Sequence, residues 1–256
     1  MEHKLIIDAH CHLDIMKGLD AAIKNSKDNG VVKILTNGLE PQSNRKALEY
    51  AERFSNVEAC LGIYPPDQLK EECDEMGREW KDFDIDKEIA WIKKQTFLAI
   101  GEIGMDFVGE FDQDAQEKLF RKMIQLGKEM GKPIIIHSRK AEKRVIEILE
   151  EEKAQKVVLH CFHGKKKLVE KIKGKNWFVT IPTNVVRSDQ IQELVKIIDI
   201  NHMFCETDSP FLSPFKGKSN EPSFVIEAYK KIAEIKGMTI EEVENNIYLN
   251  YQTLFE

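Results

Sequence analysis

Two histidines, His10 and His12, follow a short apolar run, Leu5–Ile7, near the start of the chain. In an extended segment residues i and i+2 point the same way, so both imidazoles face one site while Cys11 faces away. The placement recurs along the sequence. Glu102 sits at the end of a fourth apolar run, in Gly101-Glu102-Ile103-Gly104. His137 closes the fifth, His160 ends Val157-Val158-Leu159-His160 in the sixth, and Asp208 follows the eighth. Four neutral imidazoles and two carboxylates suit Zn, Mn or a related divalent ion. Six donors are too many for one tetrahedral ion that keeps an open position, and about right for two ions sharing a carboxylate. Glu102 is the bridging candidate, because its run lies between the two groups and its two oxygens can be shared. Any one of these histidines read alone is equally a hydrogen-bonded core residue; the joint placement carries the metal reading. His3 reads as an exposed terminal residue, His202 as the start of the eighth run, and His163 as a substrate contact or a solvated loop residue.

The elements that must position these groups alternate along the chain. The runs are Leu5–Ile7, Val31–Thr36, Val57–Ile63, Phe97–Ile103, Pro133–His137, Val157–Phe162, Trp177–Ile181 and His202–Cys205. Segments of helical periodicity lie between them, including Gln113–Met130, Ala141–Glu152 and Asp189–Ile198. Near-continuous apolar strands separated by helices imply a parallel sheet buried on both faces. Eight such units predict an α/β protein with a TIM (β/α)8 barrel, whose active site is built at the C-terminal strand ends. A doubly wound open sheet is the alternative. Residues 1–256 fit one barrel domain without a linker. The irregular stretches Tyr64–Asp84 and Ser209–Pro222 are expected as loops on the catalytic rim. Thr239 and Glu242 form a predicted capping box for a helix over Thr239–Tyr248.

Bulk properties exclude several classes. The chain has 38 basic and 44 acidic side chains, a net charge of −6, which argues against a strongly basic nucleic-acid scaffold but not a local basic groove. Five scattered cysteines with no CxxC point to free thiols in a reducing cytoplasm. No targeting peptide or membrane span is expected. A monomer without an obligate protein partner is the default.

Beyond these readings, the motifs resemble a known family. Asp8-Ala9-His10-Cys11-His12-Leu13-Asp14, Gly101-Glu102-Ile103-Gly104-Met105-Asp106, Ile136-His137-Ser138-Arg139, His160-Cys161-Phe162-His163-Gly164 and Glu206-Thr207-Asp208-Ser209-Pro210 are similar to those of the TatD metal-dependent deoxyribonucleases. Gly217-Lys218-Ser219-Asn220-Glu221-Pro222 resembles that family's RGKRNEP signature. The resemblance runs in order over the whole chain. It implies an amidohydrolase-type barrel with two divalent ions; the ligand chemistry leaves Zn, Mn or Mg open. It assigns His10, His12, Glu102 and Asp208 to one ion, and Glu102, His137 and His160 to the other. The activity it implies is phosphodiester hydrolysis on DNA, single strands or ends. The chain departs from the family pattern in its substrate shell. Tyr64-Pro65-Pro66 replaces His-Pro-His, so a phosphate-facing imidazole is exchanged for a neutral phenol. Lys140, Phe107-Val108, Lys216 and Ser219 also differ.

The expected mechanism is water activation between the ions, with Asp208 accepting the proton and Glu102 completing the catalytic pair. Glu206 and Asp14 each read as an orienting carboxylate or a structural ion-pair partner, and Asp106 as a loop organiser. Substrate contacts are expected from Arg139, a guanidinium suited to phosphate, and from Tyr64, Lys165 and Lys216. Rim aromatics Tyr64, Phe107, Phe162 and Phe211 could stack on a base or pack under loops. Two other functions remain open: a two-metal ester or amide hydrolase acting on an aminoacyl-tRNA bond, a lactone or a small metabolite, and a non-catalytic barrel.

Overall fold

The computed structural model describes residues 5–256; His3 lies outside them. Eight strands run through the described residues: β1 (Ile6–Cys11), β2 (Val31–Asn37), β3 (Val57–Leu61), β4 (Ala99–Gly104), β5 (Ile134–His137), β6 (Val157–Leu159), β7 (Phe178–Pro182) and β8 (Met203–Glu206). Each pairs in parallel with its sequence neighbours, in the order β1 to β8. β8 packs back against β1. That order closes a (β/α)8 barrel and excludes the doubly wound sheet, whose strand order would reverse at a switch point. Every residue of β1 and of β4 is buried, as strands covered on both faces require.

The surrounding helices are α1 (Leu19–Asp28), α2 (Pro41–Arg53), α3 (Pro66–Glu75), α4 (Ile85–Ile92), α5 (Gln113–Met130), α6 (Glu142–Glu151), α7 (Lys166–Ile172), α8 (Asp189–Ile197), α9 (Ile226–Lys236) and α10 (Ile240–Phe255). The periodicity finds α5 to the residue. Asp112 caps its start by accepting from Ala115 N, and left-handed Gly131 ends it. The capping box at Thr239 and Glu242 forms as expected. Its helix α10 runs on past Tyr248, because Tyr251 and Leu254 continue the buried stripe.

One expectation needs correction. The stretch 64–84, read as an irregular loop, contains α3 and ends at the N-cap of α4. Pro66 opens α3 in the first turn, where its missing N–H costs nothing. Leu69 and Cys73, one turn apart, bury against Tyr64, Leu39 and Trp80 in a small cluster separate from the main core. The other stretch, 209–221, carries no helix or strand before the 3-10 turn at Pro222–Val225.

The closure between β1 and β8 is made by side chains as well as backbone. Asp8 is fully buried and accepts from Thr207 N at 2.8 Å and Thr207 Oγ1 at 2.6 Å. Asp208 N donates to His10 O at 2.9 Å, and His12 N to Ser209 O at 2.8 Å. From α9, the Tyr229 hydroxyl accepts from Ile7 N at 2.9 Å and donates to Ile7 O at 3.1 Å. The residues that bring the end of β8 to the end of β1 thus flank three of the histidine and carboxylate candidates. Tyr229→Phe leaves the Ile7 amide and carbonyl with one buried partner fewer each. It is expected to cost about 2 kcal/mol, lowering Tm by about 4–8 °C in a thermal melt, with metal content unchanged.

Candidate metal centre

The strand ends bring six side chains to one point at the C-terminal mouth. The strand β1 runs on past the apolar run Leu5–Ile7 to Cys11, so His10 is its second-to-last residue and His12 follows it directly. Nε2 of His10 and Nε2 of His12 are 3.3 Å apart. Glu102 Oε2 lies 3.2 Å and 3.4 Å from them, and Asp208 Oδ1 3.8 Å and 3.5 Å. The edge of a tetrahedron of donors around an ion with bonds of about 2.0–2.1 Å is about 3.3 Å. His10 Nε2, His12 Nε2 and Asp208 Oδ1 lie close enough together to hold one cation, with Glu102 Oε2 beside both rings. Beside them, Glu102 Oε1 lies 2.9 Å from His137 Nδ1 and 3.3 Å from His160 Nε2. One carboxylate thus offers one oxygen to each of two donor groups. Glycines make room for this: a Cβ on Gly62 would lie 2.3 Å from Glu102 O, and one on Gly104 2.1 Å from His137 O.

The far sides of the rings are held unequally. His137 Nε2 is 2.9 Å from Asp106 Oδ2, and His160 Nδ1 is 3.2 Å from Glu206 Oε2. Both carboxylates are fully buried. His12 Nδ1 faces the carbonyl of Asn37 at 3.3 Å, and His10 Nδ1 has no partner among the described residues. Asp106 is itself fixed: its amide donates to Gln116 Oε1 at 2.8 Å and its carbonyl accepts from Gln116 Nε2 at 2.9 Å. A carboxylate behind a ligating imidazole sets its tautomer and orientation.

The buried carboxylates and the rings around them perturb one another's charge. Burial opposes ionisation of Glu102, yet the His160 and His10 rings beside it hold its carboxyl well below the usual range. Asp208 is likewise lowered against its burial by the His12 hydrogen bond and by His160. Burial disfavours charge on the imidazoles too. Against it, the Asp208 hydrogen bond and the Glu102 charge push His12 up to about 9, and Glu206 and Glu102 push His160 well up. His10 moves down, through burial and the neighbouring His160 charge. Without an ion, protons on the rings balance the buried carboxylates; a divalent ion supplies the same charge on the neutral rings.

A cavity of about 660 Å³ opens over the cluster. Of the expected substrate contacts, Arg139 and Tyr64 line it, whereas Lys165 and Lys216 are exposed residues away from its wall. Arg139 is engaged within the protein: Nε donates to Asp106 Oδ2 at 2.6 Å and Nη2 to Glu72 Oε1 at 2.9 Å. Tyr64 donates to the same Asp106 oxygen at 2.8 Å, and burial together with nearby Glu72 and Asp106 pushes its phenol well up. Asp14 pairs with Arg78 at 3.2 Å. His163 lines the cavity, its Nδ1 2.6 Å from Cys161 O. His202 belongs to the 3-10 turn before β8, at the opposite end of the barrel. Glu72 and Arg78 were missed from the sequence because the stretch 64–84 reads as a loop. Pro66-Asp67, a helix-opening pair, was the available signal.

A (β/α)8 barrel with buried histidines and carboxylates at its C-terminal mouth is the architecture of a metal-dependent hydrolase. The model of the family described as TatD related DNase matches residues 7–256, and the chain belongs to this family. It is 34% identical over 247 residues to human deoxyribonuclease TATDN3, covering 93% of this chain and 90% of that protein. It is 34% identical over 255 residues to an uncharacterized metal-dependent hydrolase of Methanocaldococcus jannaschii, covering 98% and 96%. The crystal structure of the TatD homolog YJJV from Escherichia coli superposes with a TM-score of 0.86 at 22% identity, over 98% of this chain and 97% of that one, a likeness of fold. The protein is accordingly a metal-dependent hydrolase acting on ester bonds.

Two expectations follow from the centre. Because His12 titrates near 9 and an ion needs the neutral ring, zinc added at pH 7 displaces protons, and affinity falls as pH drops. Acidification of a weakly buffered sample during a zinc titration measures this; a pH that stays flat contradicts it. Glu206→Gln and Asp106→Asn keep size but weaken the hold on His160 and His137. Each is expected to weaken metal binding by about 10–100-fold in competition with a chromophoric chelator.

Proposed function

We propose that the protein hydrolyses phosphodiester bonds of DNA, with two divalent ions bridged by Glu102. The division of the two Glu102 oxygens between His10–His12 and His137–His160 carries this reading. His10, His12, Glu102 and Asp208 would hold one ion, and Glu102, His137 and His160 the other. When bound, such ions acidify the attacking water and offset charge developing on the scissile group. The chain's residues do the rest. Asp208 has a side chain 15% exposed, against 4% for Glu102. It is the carboxylate that reaches an incoming water and accepts its proton. Asp106 and Glu206 keep the His137 and His160 rings turned toward Glu102. Arg139, relayed by Glu72 and Asp106, and Tyr64 shape the wall against which a phosphate would lie. Zn, Mn and Mg are the candidate ions, and single strands or strand ends the candidate substrate.

A second reading, an ester or amide hydrolase of small substrates, is favoured by one feature. Arg139 is held by two carboxylates, and Glu72, Glu75 and Glu142 line the same cavity. That wall suits a polyanion less than the ions would.

Protein stripped of metal and reloaded with Mn, Mg or Zn is expected to degrade a labelled single-stranded oligonucleotide. His137→Ala is expected to lower the rate by about 100-fold or more, as loss of an ion-holding ligand implies. Hydrolysis of a p-nitrophenyl carboxylic ester without any DNA cleavage would transfer the assignment to the second reading.

A further inference from the structure

The segment between Asp208 and the 3-10 turn at Pro222 combines exposed aromatic rings with cations that have no acidic partner. Phe211 is 44% exposed and Phe215 40%, two of only five large apolar side chains so exposed among the described residues. Phe211 lines the metal cavity, its ring centroid 6.4 Å from that of His12. Lys218 Nζ lies 5.6 Å from the centre of the Phe215 ring. Lys216 and Lys218 are exposed and form no ion pair among the described residues, unlike Arg78 and Arg139 at the cavity wall.

The loop is held rigidly in spite of its lack of regular structure. Buried Asn220 donates from Nδ2 to Thr207 O at 2.7 Å and to Thr183 Oγ1 at 2.9 Å, and its amide donates to Pro210 O at 3.0 Å. Thr183 Oγ1 donates to Leu212 O at 2.9 Å, and Phe211 N to Asp208 O at 2.8 Å. The carbonyls on both sides of Phe211 are thus tied down. Asp208 and Leu212 both take left-handed backbone angles, φ 53° and 51°, which cost a non-glycine residue energy and persist where the surroundings demand them. The result is a phenyl ring held 44% exposed beside the candidate metal donors.

We infer that residues 209–219 form the platform for a nucleic-acid strand. The Phe211 ring stacks on the base of the nucleotide whose phosphodiester meets the metal cluster, and Lys216 and Lys218 hold phosphates further out. Aromatic rings next to a cationic track are the means by which single strands are bound without reading sequence. Every base has a flat face, so the ligand class is an unpaired strand or frayed end of any sequence. The inference rests on the nuclease reading and specifies where its substrate lies.

The test uses oligonucleotides carrying either thymine or 5,6-dihydrothymine, a non-aromatic and puckered base, at the cleaved nucleotide, with Mn-loaded protein. Phe211→Ala is expected to raise KM about 10-fold or more on the thymine strand and to leave it nearly unchanged on the dihydrothymine strand. Phe211→Trp is expected to restore the thymine KM. A 2-aminopurine at that position should be quenched on binding to the wild type and not to Phe211→Ala. Lys216→Ser with Lys218→Ser is expected to flatten the dependence of log KM on log salt by about 0.7 per lost contact. Equal losses on both strands, or quenching that survives Phe211→Ala, overturn the platform while leaving the nuclease intact. Absence of any DNA cleavage by the wild type overturns both.

Discussion

Everything at the mouth of this barrel is arranged around one buried carboxylate. Glu102 is only 3% exposed, and a charge so removed from water is unfavourable without opposite charge within a few ångströms. Its answer is a ring of four imidazoles, two on each oxygen. Those imidazoles come from β1, β5 and the residues just past β1 and β6, so no two neighbouring strands alone could have supplied them. The fold exists at this end to deliver side chains from distant parts of the chain to a point a few ångströms wide.

Delivery at that precision is a packing problem before it is a chemical one. Glycines at 62 and 104 remove the atoms that would otherwise strike the backbone of Glu102 and His137. Asp8 and Tyr229 secure the join between β1 and β8, where hydrogen bonds from Asp208 N and His12 N tie the ligand-bearing segments together. Asp106 and Glu206 then fix ring orientation. Asp106 and Glu206 also balance charge on His137 and His160, as Asp208 and Glu102 do on His12, which ties stability of the metal-free protein to protons on these rings.

The substrate side follows a different logic. Arg139, the guanidinium that sequence reasoning places on a phosphate, is bound to Asp106 and to Glu72 on α3. Its first task is to join the helix over the cavity to the centre below. Tyr64 shares the Asp106 oxygen and so belongs to the same internal network. Lys216 and Lys218, which form no ion pair among the described residues, lie on the 209–221 loop beside two exposed phenyl rings, while Lys140 is the cation of the cavity wall without one.

What the sequence determined by itself is the barrel and the set of candidate metal donors. Both rest on period: runs of buried β-branched residues alternate with helical stripes, and each donor falls where a strand must end. A residue at a strand end has its direction set locally, so His10, His12, Glu102, His137, His160 and Asp208 were legible as one constellation. The helix α3 was not, because two adjacent prolines and many charges mask an apolar stripe of only Leu69 and Cys73, whose burial depends on Leu39 from another segment and on Trp80 beyond the helix. The partners of Arg139, and the unequal backing of the four rings, were decided by the tertiary structure alone. Glu72 and Arg139 are 67 residues apart, and His160 and Glu206 are 46 apart. A hydrogen bond between such residues depends on how the strands are rotated in the closed barrel, which no local pattern records.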